Sequence, residues 1–388
     1  MRSYKTEIQL SEVQIQTFNQ TVGVCRFVYN LFIAHNQERH KNGEKFMSGM
    51  DFSKWLNQEF IPNNPEYAWI KKVYAKAVKQ SIMNAEKAYK RFFKGESKFP
   101  RFKKKKNHDV KLYFVKNDAK MIIKCERHRI KIPTLGWVKI KEKGYLPTKS
   151  VIRRGTVSQK AGRYYVSVLV EDNIQVQNDN LNDGIGIDLG IKEFATLSNQ
   201  DKPITNINKT SKVRKLEKSL KRQQRKLSRK YESMKKNKNK KEESATRQNI
   251  RKQVLNVQRL HQRITNIREN HMNQTIHIVV KQKPSFVTIE DLNVRGMMKN
   301  RHLSKAIAQQ GFNQFKTRLG AKCKVNRIEL RMVDRFYPSS KLCSCCGYKK
   351  VDLKLSDRMY ICNHCDHVMD RDRNAAVNLK NAKVYTIA

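Results

Sequence analysis

Carboxylates are scarce in this 388-residue chain: 34 Asp+Glu stand against 82 Lys+Arg, a formal net charge of +48. The opening Met1-Arg-Ser-Tyr-Lys-Thr-Glu7 has no apolar signal-peptide core. No uncharged run approaches the ~18 residues of a membrane-spanning helix. There is no internal repeat. The expectation is a cytosolic, nucleoid-associated protein of bacterial type, whose cysteines stay reduced and suit metal ligation better than disulfides. Ordinary solubility asks for a net charge of magnitude only ~2–8 in a small domain. An excess of +48 repels itself unless a polyanion neutralises it. Nucleic acid is the natural partner, bound over many phosphates with steep salt dependence. A generic basic protein of ribosomal type is the plain alternative.

The length allows two or three domains with real cores. Tyr4 to Leu10 reads as a lone strand, and Ser11 to about Phe93 as helix, with Ser11 and Gln14 forming a capping box. Gly95 to Pro100 breaks the helices, and Arg101-Phe-Lys-Lys-Lys-Lys106 follows. Residues 110–172 read as β: Val110–Val115, Ala119–Cys125, Ile130–Ile132, Trp137–Ile140, and a Thr156–Val170 hairpin turning at Lys160-Ala-Gly162. These suggest a small barrel completed by the N-terminal strand, with the helical block inserted. A polar linker, Gln175–Asp183, opens a second region. There Ile185–Asp188 and Glu193–Leu197 pair about Gly190, a residue that permits a tight turn. Residues 211–242 carry 15 Lys/Arg, with Leu216, Leu220, Leu227 and Tyr231 between them. After a polar break near Lys235–Glu243, one helix over Gln248–Val280 packs back as a hairpin. Strand Ser285–Glu290, helix Lys305–Cys323, strand Arg327–Val333 and a terminal helix complete an order that matches a ribonuclease-H-like α/β core.

Three of the few acidic segments share a setting. Asp188 ends Ile185-Gly-Ile187, Glu290 ends Val287-Thr-Ile289, and Asp372 precedes Asn374-Ala-Ala-Val-Asn378 in the first turn of a helix, where the dipole favours an anion. Carboxylates so placed can converge on two divalent ions ~3.5–4 Å apart, which cleave phosphodiesters by in-line displacement. Taken singly, a strand-end aspartate is an ordinary turn residue, and Asp370 or Asp372 an ordinary N-cap. The cysteines Cys343, Cys346, Cys362 and Cys365 give C-x2-C, fifteen residues, C-x2-C, a structural zinc signature. Cys345 is a spectator by spacing. His364 and His367 are not needed where four thiolates are complete.

Ile185-Gly-Ile-Asp-Leu-Gly-Ile-Lys-Glu-Phe-Ala-Thr-Leu197, Ile289-Glu-Asp-Leu-Asn-Val294, Asp334-Arg-Phe-Tyr-Pro-Ser-Ser-Lys341 and Asp370-Arg-Asp-Arg-Asn-Ala-Ala376 resemble the TnpB (OrfB-type) transposon-encoded proteins, which are similar to the ancestors of type V CRISPR effectors. Val24-Cys-Arg-Phe-Val-Tyr-Asn30 and Lys98-Phe-Pro-Arg-Phe-Lys103 extend the resemblance over nearly the whole chain. It implies an RNA-guided endonuclease with one RuvC-like site for double-stranded DNA. Its catalytic acids would be Asp188, Glu290 and Asp372, holding two Mg2+, with Asp370 the competitor for the third place. A transposon-derived noncoding guide RNA would be the partner. The implied architecture is a multidomain α/β chain. A wedge-like β-barrel (1–10 and 101–174) carries a helical recognition block (11–100). A RuvC-like nuclease domain (183–342 and 370–388) carries a basic helical hairpin at about 211–280 and a zinc-ribbon insertion (343–369) that binds target nucleic acid. Lys76 and Gln80 (with Lys87 on one helical face), and Arg101, Lys103 and Lys104, are the candidate nucleic-acid contacts, beside the run Lys212–Lys241. The helical block would read a short flanking DNA motif while base pairing to RNA reads the rest, as in CRISPR nucleases. The alternatives are an RNA-guided repressor that does not cut, and an unguided transposase or resolvase.

Overall fold

A computed structural model describes residues 1–105, 110–115, 123–171, 182–236, 243–354 and 356–388. It divides into two compact units, Met1–Ile174 and Gln175–Ala388.

In the first unit, β1 (Arg2–Gln9) leads into the 30-residue α1 (Glu12–Lys41). Ser11 and Gln14 cap it reciprocally, at 3.3 and 3.0 Å, so the expected capping box is present. The same Gln14 side chain donates to the carbonyls of Leu135 and Trp137, tying the helix start to the sheet. The rest of the helical block is α2 (Gly49–Trp55), a π-turn at Leu56–Phe60, the short α3 (Ile61–Asn63), a 3-10 stretch at Pro65–Lys72, and α4 (Ala75–Phe93). The sheet adds β2 (Leu112–Val115), β3 (Arg129–Ile132), β4 (Gly136–Ile140), β5 (Ile152–Lys160) and β6 (Arg163–Val170). Its order is β2-β5-β6-β1-β4-β3, with β1 in the middle, antiparallel to both β6 and β4. Among the described residues this is an open half-barrel, where the sequence suggests a barrel. The expected strand Ala119–Cys125 lies largely outside the described residues, and Cys125 makes one bridge to Ile130. The β5–β6 hairpin turns at Ala161 and Gly162 with φ of 51° and 73°, the paired positive values that match strand twist. Sheet and helices bury one common core, in which Phe18, Phe32 and Phe52 join Leu112, Val157 and Val166. The inserted block therefore shares its core with the sheet.

The second unit is built on a five-stranded sheet of β7 (Ile185–Leu189), β8 (Ala195–Leu197), β9 (Phe286–Glu290), β10 (Glu329–Val333) and β13 (Thr386–Ile387). Its order is β13-β10-β9-β7-β8; the three central strands run parallel and both edges antiparallel. Between β8 and β9 come α5 (Ser211–Lys236) and α6 (Glu243–Lys281). Only Val213 of α5 is buried, so this helix presents its lysines and arginines to solvent. Glu217 pins the pair, accepting from Arg268 on α6 and from Gln309, each at 2.8 Å. The break expected at Lys235–Glu243 falls mostly on residues outside those described. After the short α7 (Val294–Met297), the single helix expected over Lys305–Cys323 is two, α8 (Ser304–Gln310) and α9 (Phe312–Val325). Gly311, at φ 68°, ends one and starts the other, a left-handed turn that glycine makes without strain. The ribbon hairpin β11 (Met359–Ile361) and β12 (Val368–Asp370) leads into α10 (Arg371–Lys380). Ile185, Ile187, Val287, Ile289, Phe315 and Leu319 form the core under the sheet.

Candidate active site and metal centre

β7 and β9 pair in register, Ile185 with Val287, Gly186 with Thr288, and Ile187 with Ile289. One step further along each strand stand Asp188 and Glu290. Both lie at the carboxyl ends of adjacent parallel strands, the edge where open α/β sheets hold ligands. The third acid arrives through a glycine. A Cβ on Gly186 would fall 2.0 Å from the carbonyl oxygen of Ala376 and 2.5 Å from the amide nitrogen of Lys380. The backbone of α10 thus lies directly on β7, and Asp372 sits one helical turn before Ala376.

The Asp188 carboxyl feels the other two acids. Burial pushes the Asp188 carboxyl up to about 8, and the nearby Glu290 and then Asp372 add to the shift, against Arg371. Burial also raises Glu290, opposed by the Ser339 hydroxyl, which donates to its Oε1 in a short hydrogen bond. Three carboxylates in a partly desolvated cleft repel one another, and a hard divalent cation with oxygen ligands relieves that repulsion. Oxygen donors of this kind suit Mg2+ chemically, but among the described residues it is the four cysteines below, not these three acids, whose ligand atoms all lie within 4.8 Å of one another. The neighbouring acids have partners of their own, although Asp370 also adds to the Asp188 shift. Asp291 is held low by Lys316 and Arg335, at 3.1 and 2.9 Å. Asp370 is the N-cap of α10, accepting from the amides of Asp372 and Arg373 at 3.0 Å each. Asp372 lies in the first turn with one oxygen 3.1 Å from Arg371. Gly190 has no positive φ; a Cβ there would meet the Glu193 carbonyl at 3.1 Å, so close approach, and not a left-handed turn, requires the glycine.

In the ribbon the Sγ atoms of Cys343, Cys346, Cys362 and Cys365 all lie within 4.8 Å of one another. Cys343–Cys365 and Cys346–Cys362 are 3.7 and 3.6 Å apart. Zn–S bonds of ~2.3 Å in a tetrahedron put sulfurs ~3.8 Å apart, so the four thiolates fit one zinc ion. Burial opposes ionisation of Cys362, but backbone donors from His364 and Cys365 prevail and hold its thiol down to about 6. Cys345 is exposed and outside the cluster. His364 stacks on Tyr348, and His367 faces the Ser344 hydroxyl at 3.4 Å. The ribbon is tied to α10: Asn374 accepts from the Ser344 amide and donates to the Leu342 carbonyl, while Asn378 donates to the carbonyls of Ser339 and Leu342.

Three family models match the chain in succession: a helix-turn-helix domain of OrfB over residues 1–45, the OrfB "Probable transposase" over 165–301, and a Cas12f1-like TNB domain over 312–379. In all three stretches the chain is similar to the TnpB (OrfB-type) proteins. The first match is helix-turn-helix in name only, because its residues form β1 and the single long α1. Among relatives, "Putative RNA-guided DNA endonuclease InsQ" of Escherichia coli strain K12 is 28% identical over 98% of this chain and 91% of its own length. A "Putative RNA-guided DNA endonuclease" of Streptomyces pristinaespiralis is 29% identical over 97% and 88%. The solved structure of a Cas12f1–sgRNA–target DNA complex aligns with a TM-score of 0.58 at 14% identity, covering 96% of this chain and 83% of that one. That likeness shows the fold.

The polar and basic residues expected as nucleic-acid contacts line different cavities or none. Gln80 and Lys103 line a cavity of about 620 Å³ between helices and sheet, together with Tyr29, Asn84, Tyr113 and Arg154. Gln80 donates to Asn84 at 3.0 Å, and Lys103 is fixed to Asn30 of α1 by reciprocal hydrogen bonds. Lys104 lines a different cavity, while the exposed Lys76 and Arg101 line neither. Lys106 and part of Lys212–Lys241 lie outside the described residues. Sequence reasoning did not single out Ser339, Asn374 or Asn378. The signal available was the polar Ser-Ser and Asn-x3-Asn spacing beside the third acid, which puts both asparagines on one helical face.

Proposed function

We propose that the protein is a transposon-encoded, RNA-guided, Mg-dependent endonuclease that cuts double-stranded DNA beside a short flanking motif at one RuvC-like site. The observation that carries this reading is that Asp188 and Glu290 end adjacent parallel strands while α10, which bears Asp372, lies on the first of them, in a chain of charge +48. Both relatives carry names of the same activity. Asp188 and Glu290 would hold Mg2+ from the strand ends and Asp372 from α10, while Ser339 orients Glu290. Bound there, Mg2+ would supply Lewis-acid stabilisation of the attacking and leaving oxygens. Asp370 serves α10 as its cap, which favours Asp372 as the third acid. Zinc in the four-cysteine cluster would be structural, since four thiolates leave no open position. The first unit would supply the wedge and the motif-reading helices, and the exposed cations of α5 would neutralise phosphates.

The test is purified protein carrying its copurified RNA, given magnesium and a plasmid matched to that RNA. Linear plasmid is the expected product. Plasmid left intact across a library of flanking motifs refutes the reading. Activity that survives RNase points instead to an unguided transposase.

A further inference from the structure

In the first unit a cavity of about 740 Å³ opens between the first half of α1, the 3-10 stretch Pro65–Lys72 and β5. Its depth is apolar, formed by side chains such as Phe18 and Val24, both fully buried. One wall is the indole of Trp69, 37% exposed and braced edge-on by Phe27 at 5.1 Å. Its mouth carries Arg26, Lys72, Lys104 and Lys105. Among the described residues no carboxylate lines it, and none of these four cations makes an ion pair.

An apolar recess with one flat aromatic wall and four uncompensated cations matches a single nucleotide: a planar base within and phosphates at the rim. A base inside a duplex is stacked on both faces and cannot enter. RNA commonly presents unstacked bases in loops and bulges, which proteins stack on aromatic side chains. We propose that this cavity seats one unstacked nucleobase of the bound RNA against Trp69, with the flanking phosphates on Lys72, Lys104 and Lys105. This rests on the reading above that the chain holds an RNA, and it names a contact of that RNA distant in sequence from the acidic cluster.

Gly23 provides the test. It lies within α1 without positive φ, and a Cβ there would meet only the Arg26 guanidinium, at 3.9 Å. Gly23→Leu therefore suits the helix while its side chain fills the recess. Trp69→Ala removes the stacking face, and Trp69→Phe keeps one. The affinity of each full-length variant is measured by filter binding for the RNA that copurifies with the wild type, alongside thermal melting. Gly23→Leu and Trp69→Ala are expected to bind roughly tenfold more weakly, the scale of one lost base–aromatic stack, with Gly23→Leu melting as the wild type does and Trp69→Phe binding close to wild type. Unchanged RNA affinity in both Gly23→Leu and Trp69→Ala overturns the proposal while leaving the endonuclease reading intact. Unchanged RNA affinity with weakened binding of duplex DNA by the loaded complex also overturns it, assigning the recess to DNA. Wild-type protein that purifies without RNA removes the guide reading and this one with it.

Discussion

Replacing Gly186 by alanine would set one methyl group against the backbone of α10. The added Cβ would start 2.0 Å from the Ala376 carbonyl oxygen, where ordinary contact begins near 3.4 Å, so roughly 1.4 Å must be found. The neighbour is main chain in a hydrogen-bonded helix and cannot rotate aside, so α10 as a whole must lift from β7. Overpacking of this kind costs about 3 kcal/mol. In a unit of this size that lowers the melting temperature by roughly 6–12 °C. The lift also carries Asp372 away from Asp188 and Glu290. Misplacement of a reacting group by ~1 Å costs on the order of 100-fold in rate. Single-turnover plasmid cleavage with RNA and Mg2+, beside differential scanning fluorimetry, reads both effects. RNA affinity should stay at the wild-type value. A Gly186→Ala protein that melts within about 2 °C of wild type and cuts at its rate would show that α10 does not bear on β7 as described.

Three further outcomes are expected. Asp188 is raised from 3.8 to about 8 by burial, then by Glu290 and Asp372. The metal-free fold thus keeps a proton that the unfolded chain releases, and its stability falls as pH rises through that window. Against Asp188→Asn, the metal-free wild type should lose melting temperature between about pH 5.5 and 8.5, and Mg2+ should restore more at the higher pH; parallel curves refute this. Asp370→Ala removes two cap bonds and should cost ~1 kcal/mol while leaving measurable cutting, whereas Asp372→Ala should abolish cutting; equal loss in both would reverse their roles. Cys362→Ser should reduce bound zinc, read by elemental analysis, and slow cleavage through the Ser344–Asn374 bond; a zinc-free chain that cuts at full rate contradicts that coupling.

Local rules carried much of the fold into view. Ser11 and Gln14 announce the start of α1, Ala161-Gly162 the β5–β6 turn, and Ile185-Gly-Ile187 and Val287-Thr-Ile289 the strands that end in acids. Those signals depend on spacing within a few residues. Features set by distant partners were hidden. The helix over Lys305–Cys323 keeps its apolar period through Gly311, so the glycine alone marks the left-handed break between α8 and α9. The edge strand Thr386–Ile387 has two residues and owes its form to β10. The reason for Gly186 is a helix about 190 positions downstream. Ser339 likewise meets Glu290 only after the chain has folded.

Helix α10 has consequences for modularity. Its first turn supplies Asp372, its middle lies on Gly186, and Asn374 and Asn378 hold the segment that leads into the ribbon. An exchange of the ribbon at its cysteines would leave Ser339, Leu342 and both asparagines in the host chain. The one demand on a transplanted ribbon is a backbone amide equivalent to that of Ser344, in reach of Asn374.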